Sequence, residues 1–438
     1  MAKKLTSFKL ALIIVCSVDS IRNLPAIAII GQDLFLYFGL AFGLFLLPSA
    51  YIASWFTQYS DEGIYGWVKL SLSKKLGFIA ISLQLMQNLF IFPTFLAFIA
   101  GLILYCLAPT LTQNNLLIFL IANGLIWGLT GLNTHGFALS SRLTVICALL
   151  GLIIPFIIIL VIGSNWLILY PQALKTLPTN AEHSWAALTA IILSFCGIEI
   201  AAVHAKESKE KALPKAIALS VIIIFVTMLF GALTLALIIP AEQLNFITGI
   251  PELFHFFFKQ INLAPLALLI DLLIIVGCLG CANNWLISPI KGLAFAAGTI
   301  TDRRVHKALL LGQAAIVSII SSLFLFFPSL NASYWIMIVL ATQMYLVMYF
   351  LMFIGAICLA RRLKGNTNLR WQVLILASLG LVGSTIAFVV SFSPPATLTI
   401  TPANYQLALL LSFCGTLTFI VGGYYLFSYK LVKLSPLA

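Results

Sequence analysis

Val15-Cys-Ser-Val-Asp-Ser-Ile-Arg-Asn-Leu-Pro25 lies inside the first long apolar run of the chain and sets Asp19 and Arg22 where a lipid-facing helix would carry neither. An isolated charge near a bilayer centre costs roughly 2.5–3.5 kcal/mol on insertion scales, and Pro25 lacks the N–H that a continuous helix would donate. The stretch therefore reads as a membrane helix that breaks. Its freed N–H and C=O groups must turn to protein or to a water-filled cavity, because hydrocarbon cannot satisfy them. Broken helices of this kind form binding sites in secondary transporters, with half-helix N-termini attracting an anionic group and unwound carbonyls taking the cationic one.

The rest of the chain is consistent with that setting. Of its 438 residues 62% are hydrophobic and only 8% charged, with a mean hydropathy of +1.12. This is the composition of a polytopic membrane protein and not of a soluble enzyme. The net charge of +12 does not point to nucleic acid, since the basic residues sit in short loops between apolar runs and not on one amphipathic face. Eight cysteines (Cys16, Cys106, Cys147, Cys196, Cys278, Cys281, Cys358, Cys414) fall inside or at the edge of apolar segments without ligand spacing. That pattern implies neither disulfides nor a metal site, and Cys278 and Cys281 read as small packing residues of one helix. Met-Ala-Lys-Lys ahead of an apolar run resembles a signal peptide, but no small-residue cleavage site follows, so it reads as an uncleaved first span.

Runs of about 20 apolar residues, the length that crosses roughly 30 Å of hydrocarbon, give twelve spans near 9–30, 34–57, 76–105, 115–131, 141–163, 185–204, 214–239, 263–297, 307–327, 331–360, 371–391 and 404–429. The stretch 242–258, with Pro251 and a Phe-rich run, is too short to span and reads as a helical loop at the surface. With both termini in the cytoplasm, only Lys175 and Lys259 of the 24 basic residues fall on the outer side, and Arg22 lies within a span. This is the positive-inside bias, and a missed or extra span would scramble it.

Span 6 repeats the anomaly of span 1. Ser194-Phe-Cys-Gly-Ile-Glu-Ile-Ala-Ala-Val-His204 places Gly197 and Glu199 in the middle of another apolar run. Five crossings separate spans 1 and 6, so they run in opposite directions. Interruptions at matching places in two five-span halves are the mark of an inverted repeat and point to the binding site. The expected fold is thus an all-α polytopic membrane protein of 12 transmembrane helices, one transmembrane domain over 1–438. It comprises 5+5 inverted repeats at about 9–163 and 185–360, with broken helices 1 and 6, plus additional helices at 371–391 and 404–429.

Two readings of Asp19 and Arg22 stay open. They can neutralise each other as an i,i+3 ion pair, or one can face a substrate, Arg22 holding a carboxylate through two parallel hydrogen bonds and Asp19 an amine or a proton. Glu199 is either a proton-coupling group, since burial disfavours a charged carboxyl, or a structural partner of the broken backbone. His204 reads as a cap or interface residue, and Asp271 has no partner in sequence. Gln84, Gln87, Asn88 and Pro93 in span 3, with Asn283, Asn284, Trp285, Ser288 and Pro289 in span 8, are interhelical glue or cavity lining. No Gly-rich phosphate loop, metal-ligand spacing or nucleophile elbow is present, so neither catalysis nor a cofactor is expected.

Several blocks resemble the amino acid/polyamine/organocation superfamily of transporters, and within it the bacterial glutamate/GABA antiporter-like permeases. They are Ser-Ile-Arg-Asn-Leu-Pro (20–25), Asp-Glu-Gly-Ile-Tyr-Gly-Trp-Val (61–68), Phe-Cys-Gly-Ile-Glu-Ile-Ala-Ala-Val-His-Ala-Lys-Glu (195–207), Leu-Pro-Lys-Ala (213–216) and Trp-Leu-Ile-Ser-Pro-Ile-Lys-Gly-Leu (285–293). The resemblance implies alternating access and an α-amino acid held by the unwound parts of spans 1 and 6. The backbone of Ser17, Val18, Asp19, Ser20, Ile21, Arg22 and Asn23 would face its carboxylate, and that of Phe195, Cys196, Gly197, Ile198 and Glu199 its ammonium. Gln87, Asn88 and Trp285 would lie near its side chain.

The expected function is secondary active transport of amino acids across a bacterial-type inner membrane, by proton symport or by exchange, with Glu199 and Asp19 as proton-coupling candidates. Its partners are the amino acid, protons or a counter-substrate, and membrane lipid; its assembly is a monomer or homodimer. A carrier of polyamines or other organic cations is the rival, with Asp19 and Glu199 as amine-binding carboxylates, and Arg22 opposes it. A transport-incompetent sensor on the same fold would bind ligand without counterflow.

Overall fold

The computed structural model describes residues 6–135, 146–147, 149–177, 184–199, 212–240, 243–296, 303–326, 330–363, 367–394 and 401–434. Regular structure among them is helical throughout. The first apolar run gives α1 (Ser7–Val18) and a five-residue α2 (Leu24–Ala28), separated by a 3-10 turn at Ile21–Asn23. There follow α3 (Leu34–Phe56), the short α4 (Gly63–Ser71), α5 (Lys74–Leu107), α6 (Asn115–Thr134), α7 (Leu149–Leu169) and α8 (Ser184–Phe195). The second half holds α9 (Ala212–Ile238), α10 (Gly249–Gln260), α11 (Ala264–Ala296), α12 (Arg303–Phe326), α13 (Leu330–Arg362), α14 (Thr367–Val390) and α15 (Pro402–Leu434).

Ten of these, α3, α5, α6, α7, α9 and α11 to α15, are long and apolar enough to cross a membrane. The first and sixth expected spans are not among them, and the reason is the one the sequence gives. α1 and α8 each stop after 12 residues, about 18 Å of helix at 1.5 Å per residue. Local sequence sets the other boundaries. Ser73 and Asn114 cap α5 and α6, accepting the N–H of Leu76 and of Leu117 at 3.2 and 3.1 Å, as short polar side chains at N-caps do. Helix α7 runs to Leu169, past the 163 expected as the end of span 5. In both α3 and α7 a π-helical turn, Phe42–Leu46 and Leu149–Ile153, ends two residues before a proline, Pro48 and Pro155. The wider turn accommodates the carbonyl that the proline ring cannot hydrogen-bond.

α5 and α13 are the most buried of the ten and pack along each other at the centre, with α11 against α5 and α9 against α1. α15 is the most exposed, at the periphery. The surface helix expected over 242–258 is α10, whose Ile250, Leu253, Phe254 and Phe258 are buried while Phe256 and Lys259 face out. Because lipid tails are as apolar as leucine, helices in a membrane associate through close packing of small residues and through polar contacts. One such contact, backbone against backbone, joins α7 to α11, where a Cβ built on Gly151 would stand 2.3 Å from the Gly277 Cα.

Candidate functional site

The break in the first segment is made by the backbone of two residues. Asp19 N–H closes the last bond of α1, to the Val15 carbonyl at 2.7 Å. Ser20 is then extended (φ −142°, ψ 105°), and the Asn23 N–H returns to the Ser20 carbonyl at 3.0 Å to form the 3-10 turn. Pro25 falls in the first turn of α2, where a helix has no use for the missing N–H.

In a continuous helix residues three apart share a face; here the extended residue turns Asp19 and Arg22 to different neighbours. Thr227 of α9 donates to Asp19 Oδ2 at 2.6 Å. Arg22 donates through Nη1 to Thr94 Oγ1 at 2.8 Å and to the Tyr334 hydroxyl at 3.4 Å, and its guanidinium carbon lies 4.9 Å from the centre of the Phe95 ring, a cation–π geometry. The ion pair left open by the sequence is not formed in this structure. Each charge has its own partners, and each keeps one buried atom without any, Asp19 Oδ1 and Arg22 Nε.

The second break starts where α8 ends at Phe195. Cys196 N–H reaches the Leu193 carbonyl at 3.1 Å, and Gly197 takes φ +112°, a conformation open to glycine because it has no Cβ. The turn aims Glu199 into the α5/α13 interface. Gln84 Nε2 and the Tyr345 hydroxyl donate to its Oε1 at 2.8 and 2.9 Å, and the Tyr349 hydroxyl donates to its Oε2 at 2.5 Å. Tyr349 also accepts the Gly197 N–H at 3.1 Å, so one phenol serves both the broken backbone and the carboxyl. The two breaks are joined directly, Asn23 Nδ2 donating to Ser194 Oγ at 3.0 Å.

Both breaks border a cavity enclosed by α1 and the 3-10 turn after it, α5, α7, α8, α11 and α13. Of the residues expected at a site, Val18, Asp19, Ser20, Ile21, Arg22, Asn23, Gln87, Asn88, Cys196 and Trp285 line it. Phe195, Gly197, Ile198 and Glu199 are buried but lie off its lining, Glu199 being linked to it through Tyr345. Ser17 is in the last turn of α1; its side chain, those of Asn284 and Ser288, and the whole of His204 lie outside the described residues. Asn88 Nδ2 donates to the Trp285 carbonyl at 3.1 Å, while Asn283 accepts from Asn133 of α6 at 2.5 Å and is interhelical glue.

Sequence reasoning missed Phe92, Phe95 and Leu152 on the cavity wall, and Thr94, Thr227 and Tyr334 behind it. Tyr345 and Tyr349 carried a signal, two phenols four residues apart on one face of an apolar helix. Cys278 and Cys281, expected as packing residues, are buried and also line the cavity. Asp271 finds a partner beyond its own helix, His255 Nε2 of α10 at 2.8 Å from its Oδ2.

A family model described as amino acid permease matches residues 5–414. An uncharacterized transporter of Legionella pneumophila subsp. pneumophila (strain Philadelphia 1) is 33% identical over 425 residues, 91% of this chain and 91% of the relative. The glutamate/gamma-aminobutyrate antiporter of Lactococcus lactis subsp. lactis (strain IL1403) is 28% identical over 96% of this chain and 90% of its own length, and that of subsp. cremoris (strain MG1363) 27% identical over 94% and 89%. Among solved structures, the crystal structure of MhsT in complex with L-phenylalanine aligns with a TM-score of 0.65 at 14% identity, covering 89% of this chain and 99% of that one, a likeness of fold.

Proposed function

The chain belongs to the amino acid permease family, and we propose that it is a secondary active transporter that carries amino acids across the inner membrane by alternating access. On this reading twelve spans are present, the broken first and sixth joining the ten continuous ones, in a 5+5 inverted repeat with α14 and α15 outside it and both termini in the cytoplasm. The observation that carries the proposal is the cavity itself. Two helix breaks, linked by the Asn23–Ser194 bond, present a carboxylate and a guanidinium that each keep an unpartnered buried atom. Such atoms are costly unless something pairs with them.

Asp19 is better suited than Glu199 to couple transport to protons. Three donors converge on Glu199, which fixes it as a strut between α8, α5 and α13. Asp19 has a single side-chain donor, Thr227, and lies on the cavity lining. Its carboxyl can meet a proton or a substrate ammonium but not both at once, which favours exchange of substrate against protons over proton symport. The same contrast weighs against a polyamine carrier, whose second amine would need a free carboxylate that Glu199 does not supply. Candidate substrates include the glutamate and gamma-aminobutyrate named for the Lactococcus relatives.

Counterflow in proteoliposomes tests the proposal. Vesicles loaded with an unlabelled amino acid should transiently concentrate the labelled one. Absence of counterflow for every amino acid, from protein that is monodisperse and folded, would falsify it.

A further inference from the structure

A second pocket opens far from the breaks, where the end of α3 meets the end of α13 and the start of α14. The buried Trp55, Ala360 and Val373 form its floor, and the exposed Tyr59, Leu363, Leu369 and Arg370 its rim. No carboxylate lines it. Residues 361–370 read Arg-Arg-Leu-Lys-Gly-Asn-Thr-Asn-Leu-Arg, four basic residues and no acid. Arg362 donates to the Ser71 carbonyl at 3.0 Å, whereas Arg361 and Arg370 are exposed and have no acidic partner among the described residues. Beside the rim an apolar stripe begins. Trp371, Ile375, Leu379, Val382 and Ile386 of α14 are each more than a third exposed, at the three- and four-residue spacing of one helix face.

We infer that this pocket binds an anionic phospholipid, its phosphate on Arg370 and its acyl chains over the apolar floor and along the α14 stripe. The inference rests on the membrane setting proposed above, which puts this end of α14 at the cytoplasmic surface, and on nothing about the substrate. A guanidinium presents its N–H groups in a fork that matches phosphate oxygens, and basic pockets between membrane helices on the cytoplasmic side hold anionic headgroups. Tyrosine and tryptophan belong at that depth, with an apolar ring and a polar tip; the Trp55 and Tyr59 rings lie 5.0 Å apart. A soluble anion would use the charge and leave the apolar surface unmet, so only a lipid answers both. The site also matters to the scaffold. α13, whose last turn borders it, supplies Tyr345 and Tyr349 to Glu199 and Tyr334 to Arg22.

The test titrates purified full-length protein in a neutral detergent with phosphatidylglycerol, with phosphatidylcholine of the same chains, and with glycerol 3-phosphate, reading the apparent Kd from thermal stabilisation and the retained lipid by native mass spectrometry. Phosphatidylglycerol should bind about tenfold more tightly than phosphatidylcholine, and glycerol 3-phosphate should give no stabilisation. Arg370→Gln should weaken phosphatidylglycerol about fivefold, the worth of one basic residue near an anionic surface, and leave phosphatidylcholine unchanged. Arg303→Gln removes the same charge from an exposed position at the start of α12 and should leave both lipids unchanged. Equal affinity for the two lipids would overturn the inference, as would equal weakening by the two variants, which would mean general surface charge. Stabilisation by glycerol 3-phosphate matching that by phosphatidylglycerol would overturn it in favour of a soluble anion. If Arg370→Gln does not fold, the comparison of the two lipids on the wild type decides. None of these outcomes bears on amino acid counterflow, so the transport reading stands or falls separately.

Discussion

Replacing Gly151 with alanine probes the contact on which the cavity wall between α7 and α11 depends. The new Cβ would lie 2.3 Å from the Gly277 Cα and 2.3 Å from the Leu273 carbonyl oxygen, whereas carbon atoms rest about 3.5–4.0 Å apart. Both obstructing atoms belong to the main chain and cannot rotate aside, so the helices must part by about 1.2–1.7 Å to restore contact distance. Overpacking of this kind costs roughly 1–3 kcal/mol. Alanine also gains up to about 1 kcal/mol over glycine as a helix former, and Gly124→Ala on α6, where nothing lies within 4 Å of the added atom, measures that gain alone. The difference between the two variants isolates the steric cost. Thermal unfolding in detergent should place Gly124→Ala at or above the wild type and Gly151→Ala below it. Gly277→Ala, whose Cβ would meet the Gly151 Cα at 2.4 Å, should behave like Gly151→Ala, and the double variant should lose less than the sum, because neighbouring sites share the displacement. Equal stability of Gly151→Ala and Gly124→Ala would refute the close crossing.

Tyr349→Phe removes a donor from Glu199 and the acceptor of the Gly197 N–H together, so it should lower stability by roughly 2–4 kcal/mol, against about 1–2 for Tyr345→Phe, which loses one bond; a larger loss from Tyr345→Phe in the same melts would contradict the assignment. Asp19→Asn keeps an acceptor for Thr227 but cannot exchange a proton, and its counterflow should lose its response to an imposed pH gradient; a response like that of the wild type would move proton coupling elsewhere. His255→Ala leaves the fully buried Asp271 without its hydrogen-bonded partner and should cost about 1–3 kcal/mol, seen as faster amide exchange across α10, with Asp271→Asn in the same background recovering part of it. Burial holds the Glu252 carboxyl on α10 above the usual carboxylate range, opposed by its bond from Thr248. The folded state therefore binds that proton more tightly than the unfolded one, and α10 is best protected below about pH 4.3 and loses protection as pH rises through the elevated value; Glu252→Gln should flatten the profile.

The two breaks were legible in the sequence because charge, proline and glycine in an apolar run have few other uses, and the resemblance blocks fall on the same residues. Helix positions followed from apolar length, Pro93 and Pro289 lying inside α5 and α11 without ending them. Partner choice was not legible. Asp19 and Arg22 are three apart and look like a pair, but the extended Ser20 sends them to Thr227, Thr94 and Tyr334, none of them close in sequence. Glu199 was recognised as significant, yet its three donors come from α5 and α13, and no local pattern assigns them. Asp271 looked solitary because His255 belongs to a helix outside the expected spans.

The partners of the first break also arrive late. Thr94 follows Arg22 by 72 residues, Thr227 follows Asp19 by 208, and Tyr334 follows Arg22 by 312. A ribosome adding about 5–20 residues per second reaches Thr227 roughly 10–40 s after Asp19 and Tyr334 some 15–60 s after Arg22. The segment made first is thus among the last to be satisfied. Throughout that interval a nascent chain holds a carboxylate and a guanidinium in or beside the translocation channel, where water, lipid headgroups or the insertion machinery must stand in for helices not yet synthesised.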